Sequence, residues 1–148
     1  MFRFAFALSL CFFFANSVFA QADYEQAYGI RGGNLLGFTG KYFLTDATAV
    51  EALVGVGLPR GWTLCGLYEL HGDIGRGEAN WFIGAGGDAA YSVLDKKFSI
   101  GGDLIVGAEY TLPLIPLTFS ADWKPYYATA GYGLGLNQFA VSVRYYWR

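Results

Sequence analysis

The last ten residues of the chain, Phe139–Arg148, read FAVSVRYYWR and alternate between two kinds of side chain. Every odd-numbered position from Phe139 to Trp147 is apolar or aromatic, whereas the even-numbered positions before Arg148 carry Ala, Ser, Arg and Tyr. An alternation of period two is typical of a β-strand with one apolar face and one face of small or polar groups. The segment therefore predicts an amphipathic strand, and the rest of the chain can be compared with it.

The same alternation continues upstream, with turn-forming residues between the segments. Leu117–Lys124, for example, places Leu, Phe, Ala and Trp opposite Thr, Ser, Asp and Lys. The pattern predicts eight strands, which we place at Ala27–Gly33, Gly37–Leu44, Thr48–Val56, Trp62–His71, Asn80–Ser92, Phe98–Leu112, Leu117–Tyr127 and Asn137–Trp147. Residues 27–44 could also form one long strand, which would leave seven.

The composition is poor in charge and rich in aromatic residues. Only 15% of the residues are charged and 19% are aromatic, whereas soluble domains usually have about 25% charged residues. Beyond residue 20, no unbroken apolar run is long enough for a transmembrane helix. Two hypotheses remain: a soluble protein with an unusually apolar core, or a protein that meets lipid through its strands.

The first twenty residues have the features of a secretory signal peptide. A short basic start precedes an apolar run over residues 4–15, and Val18 and Ala20 are small residues of the kind that a signal peptidase reads. We therefore expect residues 1–20 to be a signal peptide that is cleaved after Ala20, and residues 21–148 to form the exported domain.

Alternation alone does not say which face of each strand points into a barrel. The polar faces carry only one or two charges per strand among many small residues, which is thin cover for water but suits a narrow, filled lumen. Trp and Tyr recur near the ends of the apolar faces, and both favour the interface between membrane and water. We expect the interface aromatics to be Tyr28, Tyr42, Trp62, Trp81, Tyr91, Tyr110, Trp123, Tyr145 and Trp147.

Three segments carry a resemblance to a known family. WFIGAGGDAAY (Trp81–Tyr91), GAEYTLPLIPLTFSADWKP (Gly107–Pro125) and the terminal FAVSVRYYWR resemble small outer-membrane barrels of the OmpA and OmpX type. The resemblance implies an all-β fold, a single up-and-down antiparallel transmembrane barrel of eight strands. An even strand count also fits a bacterial barrel with both termini on the periplasmic side.

The same resemblance implies a location and partners. The protein would reside in the bacterial outer membrane, in contact with membrane lipid and lipopolysaccharide. Its aromatic C-terminal strand resembles the signal that the outer-membrane assembly machinery reads. The formal net charge of −2 gives no reason to expect a nucleic-acid partner.

Charged side chains on the polar faces predict a filled lumen. The interior of an eight-stranded barrel is just wide enough for side chains, and buried charges need partners. We therefore expect a plugged, salt-bridged interior in which Arg144 pairs with Glu109 or Asp122. The lumenal charge network is predicted to contain Arg31, Lys41, Glu51, Glu69, Asp88, Asp103, Glu109, Asp122, Lys124 and Arg144.

The sequence offers little catalytic chemistry. Glu69 and His71 share a strand face and could act as a catalytic base or bind a metal ion, but His71 is the only histidine and no serine adjoins it. Cys65 follows no nucleophile pattern and is interpreted as a small buried residue. We therefore expect a structural or surface-interacting protein without catalytic, cofactor or metal residues. The alternatives are a secreted lipocalin-like barrel that binds a hydrophobic ligand, and an outer-membrane enzyme that modifies lipid.

Overall fold

The structure is a computed structural model that describes residues 24–75 and 78–148. The predicted signal peptide, residues 1–20, lies outside the described residues. Ten strand segments make up the fold: β1 Gln26–Gly33, β2 Leu35–Phe43, β3 Thr48–Gly57, β4 Gly61–Asp73, β5 Ala79–Ser92, β6 Lys97–Thr111, β7 Leu117–Trp123, β8 Tyr126–Ala128, β9 Gly133–Gly135 and β10 Phe139–Trp147.

These segments form the wall of one closed antiparallel barrel. Each segment from β1 to β6 pairs with the next one along the chain, β6 also pairs with β8, and β8 pairs with β9. The last segment, β10, pairs with both β7 and β1. The pairing of β5 with β6 completes the circle. Since β7 continues into β8 and β9 into β10, the wall has eight strands. The predicted all-β, up-and-down, eight-stranded barrel is confirmed.

Residues 27–44 form two strands, β1 and β2, which meet at Asn34. Gly33, at the end of β1, has a φ of 147°, a conformation that favours glycine. The amide of Asn34 donates to the carbonyl of Phe139 at 3.3 Å, which ties this turn to the last strand. The alternative of one long strand is therefore wrong.

The seventh and eighth strands differ from the uninterrupted strands predicted at Leu117–Tyr127 and Asn137–Trp147. Pro125 has no amide hydrogen to donate to the ladder, and the seventh strand is interrupted at residues 124–125. The eighth strand is interrupted at residues 136–138, where its register against the seventh strand shifts by one residue, as in a β-bulge.

The polar faces of the strands point into the barrel and the apolar faces point outward. Arg144, Lys41 and Glu69 are among the most deeply buried side chains, while Leu36, Phe38 and most other large apolar side chains of the strands are exposed. Among the described residues there is no helix long and apolar enough to cross a membrane.

Candidate functional site

All ten residues of the predicted lumenal network are buried, each with at most 8% of its surface exposed. They sort into two groups along the barrel axis. The terminal end is the end at which β1 begins and β10 ends, and the far end is the opposite one. The terminal-end cluster consists of Lys41, Glu51, Glu69, Glu109 and Arg144, and three further ion pairs lie nearer the far end.

The terminal-end cluster joins strands from all around the lumen. The Lys41 ammonium lies 2.9 Å from Glu69, 3.3 Å from Glu109 and 3.9 Å from Glu51. Arg144 pairs with Glu51 through Nη2, and its Nη1 lies 3.3 Å from Glu109. Two cations are therefore shared among three carboxyl groups, with no charged side chain of the cluster exposed to solvent.

Neutral side chains complete the cluster. Thr39 donates to Glu51 and accepts from Arg144 Nε at 3.1 Å, while Ser120 accepts from Arg144 Nη1 at 2.8 Å. His71 Nε2 lies 2.9 Å from Glu69 Oε2. Its ring packs between two phenylalanine rings, with centroid distances of 4.8 Å to Phe43 and 5.4 Å to Phe82.

Tyr24 closes the terminal end of the lumen. Its hydroxyl donates to Glu109 Oε1 at 2.6 Å. Its ring stacks on Tyr146 and meets the edge of Phe43, with centroid distances of 5.4 and 5.1 Å. Burial, together with the negative charge of Glu109, raises the pKa of the Tyr24 phenol well above its usual value, so the hydroxyl stays a donor.

The three further ion pairs have one carboxylate for each cation. Arg31 donates both terminal nitrogens to Asp122, each at 2.6 Å, and Lys124 lies 2.6 Å from Asp103. The third pair is bidentate as well, since the Arg60 nitrogens lie 2.5 and 2.7 Å from the two oxygens of Asp88. In this fork-to-fork geometry two parallel, charge-assisted hydrogen bonds join the guanidinium and the carboxylate.

An apolar layer lies between the two charged regions. On β4, Leu67 and Cys65 continue the inward row from Glu69 toward the far end, and on β6 Ile105 lies between Asp103 and Glu109. The layer consists of Leu35, Leu53, Cys65, Leu67, Phe82 and Ile105. These side chains pack against one another inside the barrel.

One of the two predicted partners of Arg144 is correct. Glu109 does lie beside Arg144, but Asp122 pairs with Arg31 instead. The reason is register: Arg144 is opposite Thr118 on β7, whereas Asp122 is four residues further toward the far end, level with Ala140. Arg31 on β1 reaches this level, and Arg144 does not.

Sequence reasoning missed two buried members of the interior. Arg60 lies between the predicted strands Thr48–Val56 and Trp62–His71, yet its side chain enters the lumen, contacts Asp88 and Ser99, and lies over the ring of Tyr126 at 4.8 Å. Tyr24 precedes the first predicted strand. Neither residue lies on a strand, so the alternation of strand faces could not place them; the unpaired charge of Asp88 was the one available signal for Arg60.

The nine predicted interface aromatics all have outward-facing strand positions. Eight of them have between 36% and 59% of their surface exposed, and Trp81 is less exposed. All but Trp123 lie near the two rims of the barrel. Tyr28, Tyr42, Trp81, Tyr110, Tyr145 and Trp147 are near the terminal end, and Trp62 and Tyr91 are near the far end. Trp123 is opposite Val106, away from both rims.

The remaining reactive side chains are enclosed. Cys65 is buried, and its thiol donates to Asp103 Oδ2 at 3.6 Å. Within residues 24–75 and 78–148, no group of three or more His, Cys, Asp or Glu side chains is arranged to hold a metal ion. The interior therefore contains a set of buried ion pairs that link different strands of the wall.

No protein-family model, curated protein or solved structure matches this chain significantly.

Proposed function

We propose that this chain is an integral outer-membrane β-barrel protein with a structural or surface-interacting role, a closed lumen and no catalytic activity. The observation that carries the proposal is the inverted polarity of the barrel. Leu36 and Phe38 have about 70% of their surface exposed, whereas Lys41 and Arg144 have at most 1%. Lipid is the solvent that favours this arrangement, because it accepts apolar side chains and leaves the polar groups to satisfy one another inside.

A soluble barrel would have the opposite polarity. Soluble monomers rarely expose contiguous apolar patches larger than a few hundred Å², and here exposed apolar side chains occur on every long strand of the wall. A lipocalin-like carrier also needs an apolar cavity for its ligand, whereas this lumen is occupied by ion pairs and by the apolar layer. Both features favour the membrane proposal over the soluble carrier.

The partners that this surface fits are membrane lipids. The aromatic side chains near both rims suit the two interfaces of a bilayer. In the proposed orientation the far end is extracellular, and there Lys96, on the turn between β5 and β6, and Lys97, at the start of β6, are exposed. Their positive charges suit the phosphate groups of lipopolysaccharide, while the outward side of β10 suits contact with the assembly machinery.

The absence of catalysis is supported by enclosure. An acid–base pair must come within hydrogen-bonding distance of its substrate. Glu69 and His71 have no more than 3% of their surface exposed, and the rings of Phe43 and Phe82 cover the imidazole. This burial disfavours the alternative of a lipid-modifying enzyme that uses these two residues.

Gel mobility of the protein recovered from the outer-membrane fraction tests the proposal. A closed barrel embedded in lipid should migrate faster in SDS when unheated than when boiled, because the folded wall resists the detergent. A protein that stays in the aqueous fraction and migrates identically with and without heating would contradict the proposal and favour the soluble carrier.

A further inference from the structure

We infer that the carboxyl groups of Glu51 and Glu69 form a buried site that holds one proton. The starting observation is the charge balance of the terminal-end cluster. Three carboxyl groups, those of Glu51, Glu69 and Glu109, face only two cations, Lys41 and Arg144. If all three were ionised and His71 were neutral, one negative charge would be left uncompensated in a buried site, which is strongly unfavourable.

Two orphaned oxygen atoms indicate where the compensating proton resides. Oε1 of Glu51 accepts from Arg144 and Thr39, and Oε2 of Glu69 accepts from Lys41 and His71. The other oxygen of each group, Glu51 Oε2 and Glu69 Oε1, is buried without a hydrogen-bond partner. Both carboxyl groups lie beside the same ammonium group, since Lys41 Nζ is 3.9 Å from Glu51 Oε2 and 2.9 Å from Glu69 Oε2.

An ionised carboxylate has only acceptors, so two carboxylates cannot satisfy each other. One proton between the two orphaned oxygens resolves the problem, because it converts one of them into a donor. Arg144 and Thr39 already stabilise the negative charge of Glu51, so the proton belongs to Glu69, whose Oε1–H then donates to Glu51. Glu69 Oε2 remains an acceptor for Lys41 and His71, as observed.

His71 is the alternative host for the proton, and its surroundings disfavour it. The Nδ1 atom of its ring is buried without a partner. In an imidazolium ion this nitrogen would carry a hydrogen with no acceptor, which is costly in a buried site. A neutral ring that donates from Nε2 to Glu69 leaves only an unused acceptor among aromatic rings.

The charged and titratable groups that face this pair come from five other sites in the barrel. They are Lys41 on β2, His71 on β4, Glu109 on β6, Arg144 on β10, and Tyr24 ahead of β1, whose hydroxyl contacts Glu109. With Glu69 protonated, the ionised members are Lys41, Arg144, Glu51 and Glu109, and the cluster has no net charge.

The site makes the stability of the barrel depend on pH. In the unfolded chain a glutamic acid loses its proton near pH 4.3, whereas the folded barrel keeps this proton to higher pH. Between about pH 4.3 and the pH at which the folded barrel releases this proton, the folded state binds more protons than the unfolded state. The contribution of this site to the free energy of unfolding therefore decreases as the pH rises. Once the proton leaves the folded barrel, one buried negative charge has no partner.

Glu69→Gln is the variant that tests the site, since its amide can donate to Glu51 and accept from Lys41 and His71. Infrared spectroscopy of the folded wild type at neutral pH should show the carbonyl stretch of one protonated carboxylic acid, which disappears in Glu69→Gln. Glu25→Gln, which alters an exposed glutamate, is the matched control and should retain the band. A wild-type spectrum without the band, or a band that survives in Glu69→Gln, would overturn the inference.

Urea unfolding provides the second measurement. The folding equilibrium constant of the wild type, divided by that of Glu69→Gln, should fall about tenfold for each pH unit above the range in which free glutamic acid ionises. Glu51→Gln, which removes the ionic partner of Arg144, should be less stable than Glu69→Gln. Equal stabilities of the two variants, or a pH-independent ratio, would contradict the assignment. The infrared measurement on the wild type decides the matter even if a variant does not fold, and neither measurement depends on where the protein resides.

Discussion

Arg144 on β10 and Glu51 on β3 form an ion pair across the lumen although they are 93 residues apart in the sequence. Neither side chain is exposed to solvent. Arg144 also reaches Glu109 on β6, so that one guanidinium links three separate parts of the wall. The hairpins of the barrel are thereby connected through its interior as well as by the hydrogen bonds of the wall.

Replacing Arg144 should be more harmful than removing the whole pair. Arg144→Met leaves Glu51 and Glu109 buried without this cation, which should cost about 3–5 kcal/mol in the free energy of unfolding. In the double variant Arg144→Met/Glu51→Gln, one of those carboxylates is also gone, and the loss should be smaller than the sum of the single changes. Urea unfolding measures this coupling; strictly additive losses would show that the pair contributes nothing.

A charged residue introduced on the outward face should destabilise a barrel that is surrounded by lipid more than one that is surrounded by water. Leu104 lies in the middle of β6 with 61% of its surface exposed, and Leu114 lies in the turn before β7 with 95% exposed. In a membrane, Leu104→Arg should cost up to about 2–4 kcal/mol, and Leu114→Arg close to nothing. Unfolding of both variants in lipid vesicles is the measurement. Equal tolerance of both substitutions would favour a barrel surrounded by water.

The hydroxyl of Tyr24 should contribute more to the free energy of unfolding than the hydroxyl of an exposed tyrosine. Tyr24→Phe removes the 2.6 Å hydrogen bond to Glu109, and a hydrogen bond to a charged group contributes about 1.5–3 kcal/mol. Tyr28→Phe is the matched control, because its hydroxyl makes only an exposed contact of 3.3 Å with Gln26. The two free energies of unfolding should differ by about 1.5 kcal/mol or more; indistinguishable values would contradict the role of Tyr24 as a closing residue.

Glycine should be required on the inner face at Gly107. A Cβ at this position would lie 2.5 Å from Cζ of Phe82 and 2.5 Å from the carbonyl oxygen of Ala121. Gly107→Ala should therefore destabilise the barrel by about 1–3 kcal/mol through overpacking. A Cβ at Gly66 would meet no atom within 4 Å, and Gly66→Ala should be neutral or stabilising. Thermal or urea unfolding of the two variants checks this, and a tolerated Gly107→Ala would count against the packing of Phe82.

The strands and their two faces could be predicted from the local pattern of side chains. A period of two in the side chains defines a strand and its faces without reference to distant residues, as in Phe139–Trp147 and Leu117–Trp123. Turn residues such as Pro113 and Pro116 gave the breaks between strands. The interruptions at Pro125 and at residues 136–138 were not predicted, because a bulge depends on how two strands pair.

The ion-pair partners inside the lumen could not be predicted from the same pattern. The alternation marked Arg144, Glu109 and Asp122 as members of one surface, but Arg144 meets the first carboxylate and not the second. Which groups meet depends on the relative height of strands that are distant in sequence, and a shift of a few residues changes every partner. Arg60 and Tyr24 lie outside the regular strands, where no periodicity indicates a direction.

The sequence by itself determined which side chains share a face, because that property follows from the geometry of a single extended chain. It did not determine which of the two faces points inward, since an alternating strand has the same pattern in a soluble barrel and in its inverse. Only closure of the wall decided this: the narrow interior encloses the charged face, brings cations from β1, β2 and β10 against carboxyl groups of β3, β4, β6 and β7, and leaves the apolar face outside. Burial makes pairing obligatory for those charges, and the register of the closed barrel selects the pairs.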